Sequence, residues 1–264
     1  MIAQIGGSPP GSPGIQSGEV KGNGCGIVAF DKRTGAVKFK ITDELASYSS
    51  PVTATINGRR WGFVFARGGL VGFEPATGKV DFHYPWRARI LESVNASNPV
   101  ITGDQVMISE CYSVGSSLLK VKPGGYDVVW SDGRKRDQAM ATHWNTPIQI
   151  DGYVYGSSGR HTAEAELRCI ELASGKVQWS EPRLTRCSLL YVDGHFICLG
   201  EDGVLRLLKL DPKRYEEVAK VTLKSDDGLP LLKYPAWAAP ILSHGLLYVR
   251  GKDRLVCLEL IPTN

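Results

Sequence analysis

The sequence predicts an all-β protein, a β-propeller of four-stranded antiparallel blades, with about six blades in its 264 residues. Three observations carry that expectation. A nonapeptide recurs along the chain, as DKRTGAVKF at 31–39, EPATGKVDF at 74–82 and ELASGKVQW at 171–179, with KPGGYDVVW at 122–130 as a looser copy. Asn-Gly and Asp-Gly pairs sit between short apolar runs in the stretches separating the copies. No segment reads as a convincing amphipathic helix; RYEEVAK at 214–220 is the best candidate and would make only one or two turns.

The period follows from the residue that opens each copy: Asp31, Glu74, Lys122, Glu171, Asp211 and Glu259, with gaps of 43, 48, 49, 40 and 48 residues. Repeats of this length, each holding several short strands, are the signature of propeller blades. Each unit has a shared front half, a Pro-containing entry followed by an apolar run, a turn and a second run. Examples are SSPVTATINGRRWGFVFA at 49–66, NTPIQIDGYVYGSS at 145–158 and AAPILSHGLLYVRG at 238–251. Asn57-Gly58, Asp151-Gly152 and Asp193-Gly194 are strong hairpin signals. A third run then leads into the nonapeptide, which turns the chain into a fourth. Val, Ile, Tyr and Phe enrichment favours strand for these runs.

Within the nonapeptide, Gly35, Gly78 and Gly175 stand where a hairpin or bulge needs positive φ. The residue eight places after the opening position is aromatic in four units, Phe39, Phe82, Trp130 and Trp179. On the outermost strand it is placed to cover the gap to the next blade, burying roughly 150–250 Å² per ring. DPKRYEEVA, with Ala219 in that place, is a decayed copy, and ELIPTN ends with the chain.

Apolar content of 42% and charged content of 22% are ordinary for a globular domain. A net charge of +4 gives no reason to expect nucleic acid or an anionic membrane as partner. No run reaches the length of a membrane helix, and MIAQIGGSPPGSPG lacks the basic start and apolar stretch of a signal peptide. Direct membrane insertion is not expected. The six cysteines, Cys25, Cys111, Cys169, Cys187, Cys198 and Cys257, lie in strand-like contexts without metal-ligand spacing and are expected to be structural thiols.

Chemistry, where present, is expected at the entries to the innermost strands, where loops are carried on a rigid frame. These entries are ELASYSSP (44–51), ESVNASNP (92–99), ATHWNTP (141–147), LTRCSL (184–189) and YPAWAAP (234–240). Tyr48, Ser49, Asn95, Asn98, His143, Trp144, Asn145, Arg186 and Trp237 are expected to line one central funnel able to take a small polar ligand. The plainer alternative is that Ser and Asn cap strand ends while Trp and Tyr pack between blades. His143 is the one histidine at such an entry, and the sequence shows no partner that would make it a general base. No catalytic set and no metal site are expected. GNGCG (22–26), Asn95-Ala96-Ser97 and GRKRD (133–137) match a nucleotide loop, a glycosylation acceptor and a basic cluster too weakly to assign.

The nonapeptide pattern, an acidic residue, two variable residues, Thr/Ser-Gly-Lys/Ala and a strand ending in Trp or Phe, resembles the pyrroloquinoline-quinone (PQQ) repeat. The resemblance covers about residues 25–260. It is shared by quinoprotein alcohol dehydrogenases and by a non-enzymatic outer-membrane assembly lipoprotein, so it implies a fold more firmly than an activity. The reading adopted is one PQQ-like propeller domain over 1–264, a non-catalytic scaffold with protein partners in the cell envelope, periplasmic or exported in the full-length protein. Two alternatives stay open. One is a PQQ-dependent alcohol or polyol dehydrogenase with calcium, for which Glu44, Glu92 and Asn95 are conceivable cation ligands, although no Cys-Cys pair is present. The other is a propeller binding a small carbohydrate stacked on Trp144 and Trp237. The first unit lacks an innermost strand and the last an outermost one, so the chain is expected to be a C-terminal part of a seven- or eight-bladed protein, against the alternative of a closed six-bladed ring.

Overall fold

The computed structural model describes residues 1–13, 20–133 and 136–261. Gly14 of MIAQIGGSPPGSPG, Arg134 and Lys135 of the basic GRKRD cluster and the end of ELIPTN lie outside these.

Among the described residues the regular structure is entirely strand, arranged as six antiparallel sheets. The chain divides into two compact units, 1–144 and 145–264. Unit one opens with β1 (Ile2–Gln4), β2 (Ile27–Phe30) and β3 (Val37–Ile41), a three-stranded sheet. Its second sheet is β4 (Val52–Ile56), β5 (Arg59–Phe65), β6 (Gly69–Phe73) and β7 (Val80–Pro85). Its third is β8 (Val100–Thr102), β9 (Gln105–Glu110), β10 (Gly115–Lys122) and β11 (Gly125–Ser131). Unit two holds β12 (Ile148–Ile150), β13 (Tyr153–Ser158), β14 (Glu166–Glu171) and β15 (Val177–Pro182) as one sheet. The next is β16 (Cys187–Val192), β17 (His195–Gly200), β18 (Val204–Lys209) and β19 (Glu217–Thr222). The last, three-stranded, is β20 (Ile241–Ser243), β21 (Leu246–Arg250) and β22 (Leu255–Glu259). Every sheet is a meander in chain order, so all pairing is between sequence neighbours.

All three hairpin signals behave as the residue types require. Asn57-Gly58, Asp151-Gly152 and Asp193-Gly194 have positive φ at both positions, the two-residue turn that matches strand twist. His244-Gly245 adopts the same turn without the usual Asn or Asp. In the nonapeptide, Gly35, Gly78 and Gly175 have φ of 76°, 80° and 71°. Around each, the same two bonds form: Gly35 N–H donates to Asp31 O at 2.9 Å and Asp31 N–H to Ala36 O at 2.8 Å, with equivalents at Glu74 and Glu171. A register shift accompanies each turn, at Ala29/Phe30, Gly72/Phe73 and Cys169/Ile170, which is a β-bulge.

The acidic opening residue has its own role. Asp31 Oδ1 accepts from the N–H groups of Arg33 (2.9 Å) and Thr34 (3.1 Å). Those donors, with Lys38, hold its carboxyl down at about 2. Glu74 and Glu171 instead accept the hydroxyls of Thr77 and Ser174. RYEEVAK forms no helix: its second half is β19, and Tyr215 packs edge-on against Trp179 with centroids 6.0 Å apart. The turn bonds and the pairing with β18 outweigh a helical tendency too short to nucleate.

Both faces of the central strands are apolar because both are covered. Trp61, Phe63, Phe65 and Leu70 point to one side of the second sheet and pack with Val106, Ile108 and Leu119 of the third. Val64, Ala66, Val71 and Phe73 point to the other side and pack with Ile27, Phe39 and Ile41 of the first. In unit two, Tyr155, Leu167 and Cys169 pack with Leu189, Phe196 and Cys198, while Leu199 and Leu205 meet Leu247 and Val249. Phe39, Phe82 and Trp179 reach groups beyond their own sheets. Phe82 meets Tyr126 edge-on at 5.1 Å, and Trp179 Nε1 donates to Asp211 O at 3.0 Å. Trp130 pairs with Leu118 across β10 and β11 and is half-buried. Cys111, Cys169, Cys187 and Cys198 are buried free thiols, Cys25 is half-buried and Cys257 exposed.

Phe39 also explains why Gly78 tolerates no side chain. A Cβ there would stand 2.7 Å from the Phe39 ring, whereas one at Gly35 would meet nothing within 4 Å. Gly35→Ala is expected to cost about 1–2 kcal/mol from positive φ alone. Gly78→Ala adds overpacking, for a total of roughly 2–4 kcal/mol. Chemical denaturation midpoints of the two variants check this ordering.

Candidate functional site

The entry loops are positioned by the strand ends they join, and buried polar side chains pin them together. Asn95 is the hub in unit one. It is 3% exposed, and its Nδ2 donates to Ala66 O at 2.7 Å and Trp86 O at 3.2 Å. Its own carbonyl accepts the N–H groups of Tyr48 (3.1 Å) and Ser49 (3.0 Å), and its N–H donates to Ser47 Oγ at 2.7 Å. Ser49 is buried and donates to Phe65 O at 2.8 Å. Asn98 Oδ1 accepts the N–H of Ser50 at 2.7 Å. The structure therefore brings Tyr48, Ser49, Asn95 and Asn98 together at the joined entries to β4 and β8. Of these, the Tyr48 side chain alone faces outward, 76% exposed. The Asn95-Ala96-Ser97 acceptor motif is buried at its asparagine.

His143 and Trp144 close unit one, and both are half-buried. His143 Nε2 lies 3.4 Å from the Tyr112 hydroxyl. Asn145 opens unit two, buried, with Nδ2 donating to Ser157 O at 3.0 Å.

Arg186 and Trp237 meet in unit two through Glu201, a residue the sequence reading passed over. Glu201 is fully buried at the end of β17. Arg186 Nε donates to its Oε1 at 3.0 Å and Nη2 to its Oε2 at 2.7 Å, a bidentate pair. Trp237 Nε1 donates to Oε2 at 2.9 Å and Thr162 Oγ1 to Oε1 at 2.7 Å. The Arg186 guanidinium also lies 5.8 Å from the Trp237 ring centroid. One carboxylate thus ties together the β13–β14 loop, the entry to β16 and the entry to β20. Trp237 remains 47% exposed. Burial works to raise the Glu201 pKa, but the donors Arg186, Trp237 and Thr162 outweigh it and hold it below the ordinary value. Glu110, buried at the end of β9, was passed over as well; it accepts the N–H groups of Tyr112 at 2.7 Å and Val114 at 2.5 Å. A glutamate ending an apolar run and followed by a turn is the shared signal in SECYS and LGEDG.

Of the residues named for a cation, Glu92 is exposed, and Glu44 and Asn95 have partners within the fold. Glu44 pairs with His83 Nε2 at 2.7 Å and accepts Gly68 N–H at 2.7 Å, while the Asn95 amide nitrogen faces carbonyls. Among the described residues no three His, Cys, Asp or Glu side chains converge as a metal site.

Residues 7–181 match the family model described as outer membrane protein assembly factor BamB. No curated protein sequence matches significantly. Among solved structures, BamB from Moraxella catarrhalis is similar at 13% identity and a TM-score of 0.58, over 90% of this chain and 65% of that one. A europium-containing methanol dehydrogenase is similar at 13% identity and a TM-score of 0.57, over 84% and 57%. A quinohemoprotein alcohol dehydrogenase from Pseudomonas putida follows at 11% identity and a TM-score of 0.54, over 81% and 42%. The chain spans about two thirds or less of the length of each of these. At such identities the likeness shows the fold alone, and that fold is the β-propeller expected from the repeats.

Glu201→Gln leaves the Arg186 cation buried without its counter-charge and is expected to cost about 3–5 kcal/mol. Because the folded pKa is depressed, the stabilisation by Glu201 is present above its ordinary value of 4.5 and is lost as pH falls through the lowered value. Denaturation midpoints from pH 6 downward, wild type against variant, should converge in that acid window.

Proposed function

The chain belongs to the BamB-like PQQ-repeat family, and from that premise we propose that it is a non-catalytic propeller serving as an interaction and assembly scaffold in the cell envelope, with protein partners. One observation carries the reading. The polar side chains at the strand entries are bound up in holding loops together, while Tyr48 and Trp237 leave exposed aromatic surface on those same loops. Aromatic residues on rigid loops supply contact area at low entropic cost, which suits protein recognition. An enzyme would need polar groups free to meet a substrate, and Asn95 and Glu201 are engaged by the fold itself.

The match to the assembly-factor family supports this reading, and the likeness to dehydrogenases is one of fold. The alternatives become outcomes of the test. The full-length protein, cross-linked in intact envelopes, is expected to capture a defined partner. Tyr48→Ala should weaken capture by about 30-fold if the ring is a contact hot spot. Loading with PQQ and calcium should give no dye-linked alcohol oxidation. Oxidation above background would overturn the scaffold reading in favour of a dehydrogenase, and selective binding on a glycan array would favour a carbohydrate receptor.

A further inference from the structure

Among the described residues several arginines are drawn into the packing with a carboxylate beside them, Arg206 with Glu217 at 3.3 Å among them. Arg186 has Glu201, and Arg59 has Asp81 in a bidentate pair at 2.9 and 2.7 Å. Arg67 is the exception. It is 7% exposed, follows β5 and has no carboxylate partner among the described residues. One Nη2 hydrogen goes to the carbonyl of Leu91, and its buried Nε has no acceptor among the described residues. Burial, reinforced by the nearby positive charge of Arg87, pushes its guanidinium below the ordinary range. A buried cation left in this state is costly unless something supplies the missing charge.

Arg67 lines a cavity of about 350 Å³ that also presents Arg87 and Lys21. Neither of these has an ion-pair partner among the described residues. Two carboxylates share the wall, and both are engaged elsewhere. Glu44 is held by His83 and the Gly68 N–H at 2.7 Å each, and Asp43 accepts the Gly24 N–H at 2.7 Å. Neither acid forms an ion pair with Arg67, so the guanidinium is left unanswered among the described residues.

We infer that this cavity, at the entry to β4 between the first two sheets, is a site for a small oxyanion, a carboxylate or phosphate group, held by Arg67 and Arg87 with Lys21 at the rim. A planar guanidinium offers paired N–H donors that match the oxygens of such a group. The cavity has room for the group and the carbon chain or ester it is attached to. The inference does not depend on the scaffold reading, because either a free metabolite or an acidic group on a partner carries this chemistry.

The test titrates the full chain with inorganic phosphate and, separately, with succinate, at constant ionic strength, following heat or amide chemical shifts. Saturable binding of at least one anion is expected; phosphate alone assigns a phosphoryl ligand and succinate alone a carboxylate. Arg87→Ala, at a half-buried position outside the hydrogen-bonded loop hubs, should weaken binding at least about tenfold, the effect of losing one charge-assisted contact. Lys176→Ala, an exposed lysine in unit two, should leave it unchanged. Arg67→Lys keeps the charge but loses the fork, and should weaken binding while a retained melting transition shows that the chain is folded. Absence of saturable binding by both anions, or wild-type binding by Arg87→Ala, would overturn the inference.

Discussion

A meander of three or four strands with apolar side chains on both faces cannot be stable alone, and the rest of this protein follows from covering those faces. On β5 and the residue after it, Trp61, Phe63 and Phe65 alternate with Val64 and Ala66, so a single strand feeds two separate cores. Each sheet therefore needs a neighbour on either side, and Phe39, Phe82 and Trp179 on outer strands provide bridges within the units. The tight turn before that aromatic must place the ring without a slip, since a one-residue shift would reverse every side chain on the strand. The bulge beside each positive-φ glycine sets that register.

Charged groups secure what the apolar faces bring together. Asp81 joins Arg59 of its own sheet to the Gly124 N–H at 2.9 Å on the next, and Glu201 gathers three loops of unit two. In both places the carboxylate is desolvated and has donors for both oxygens, the condition under which a buried pair holds rather than weakens a fold. Asn95 does the same in unit one with neutral groups. These hubs account for the polarity of the entry loops: loops packed at strand ends carry backbone carbonyls and N–H groups that need partners.

That double use of polar residues limits what could be read about the site. Ser, Asn and Arg at an entry serve a ligand or a neighbouring loop equally well, and nothing in ESVNASNP or LTRCSL tells the two apart. Asn95 and Arg186 turned out to be internal hubs, whereas Tyr48 and Trp237 keep outward-facing surface. Glu201 and Glu110 were missed because each looks like an ordinary acid after a strand. Their burial becomes evident only when the donors from distant loops are in place.

The sequence by itself determined the strand count of each repeat, the hairpins at Asn57-Gly58, Asp151-Gly152 and Asp193-Gly194, the bulged turns and the outer-strand place of Phe39, Phe82 and Trp179. These are local facts, since positive φ, strand propensity and side-chain alternation are set within a few residues. Only the tertiary structure decided that RYEEVAK enters a strand, that Asn95 holds two loops together, and that Arg67 stands beside a cavity without the counter-charge given to Arg59 and Arg186. Those outcomes depend on which groups lose water together, and desolvation is a property of the packed molecule rather than of any segment of its chain.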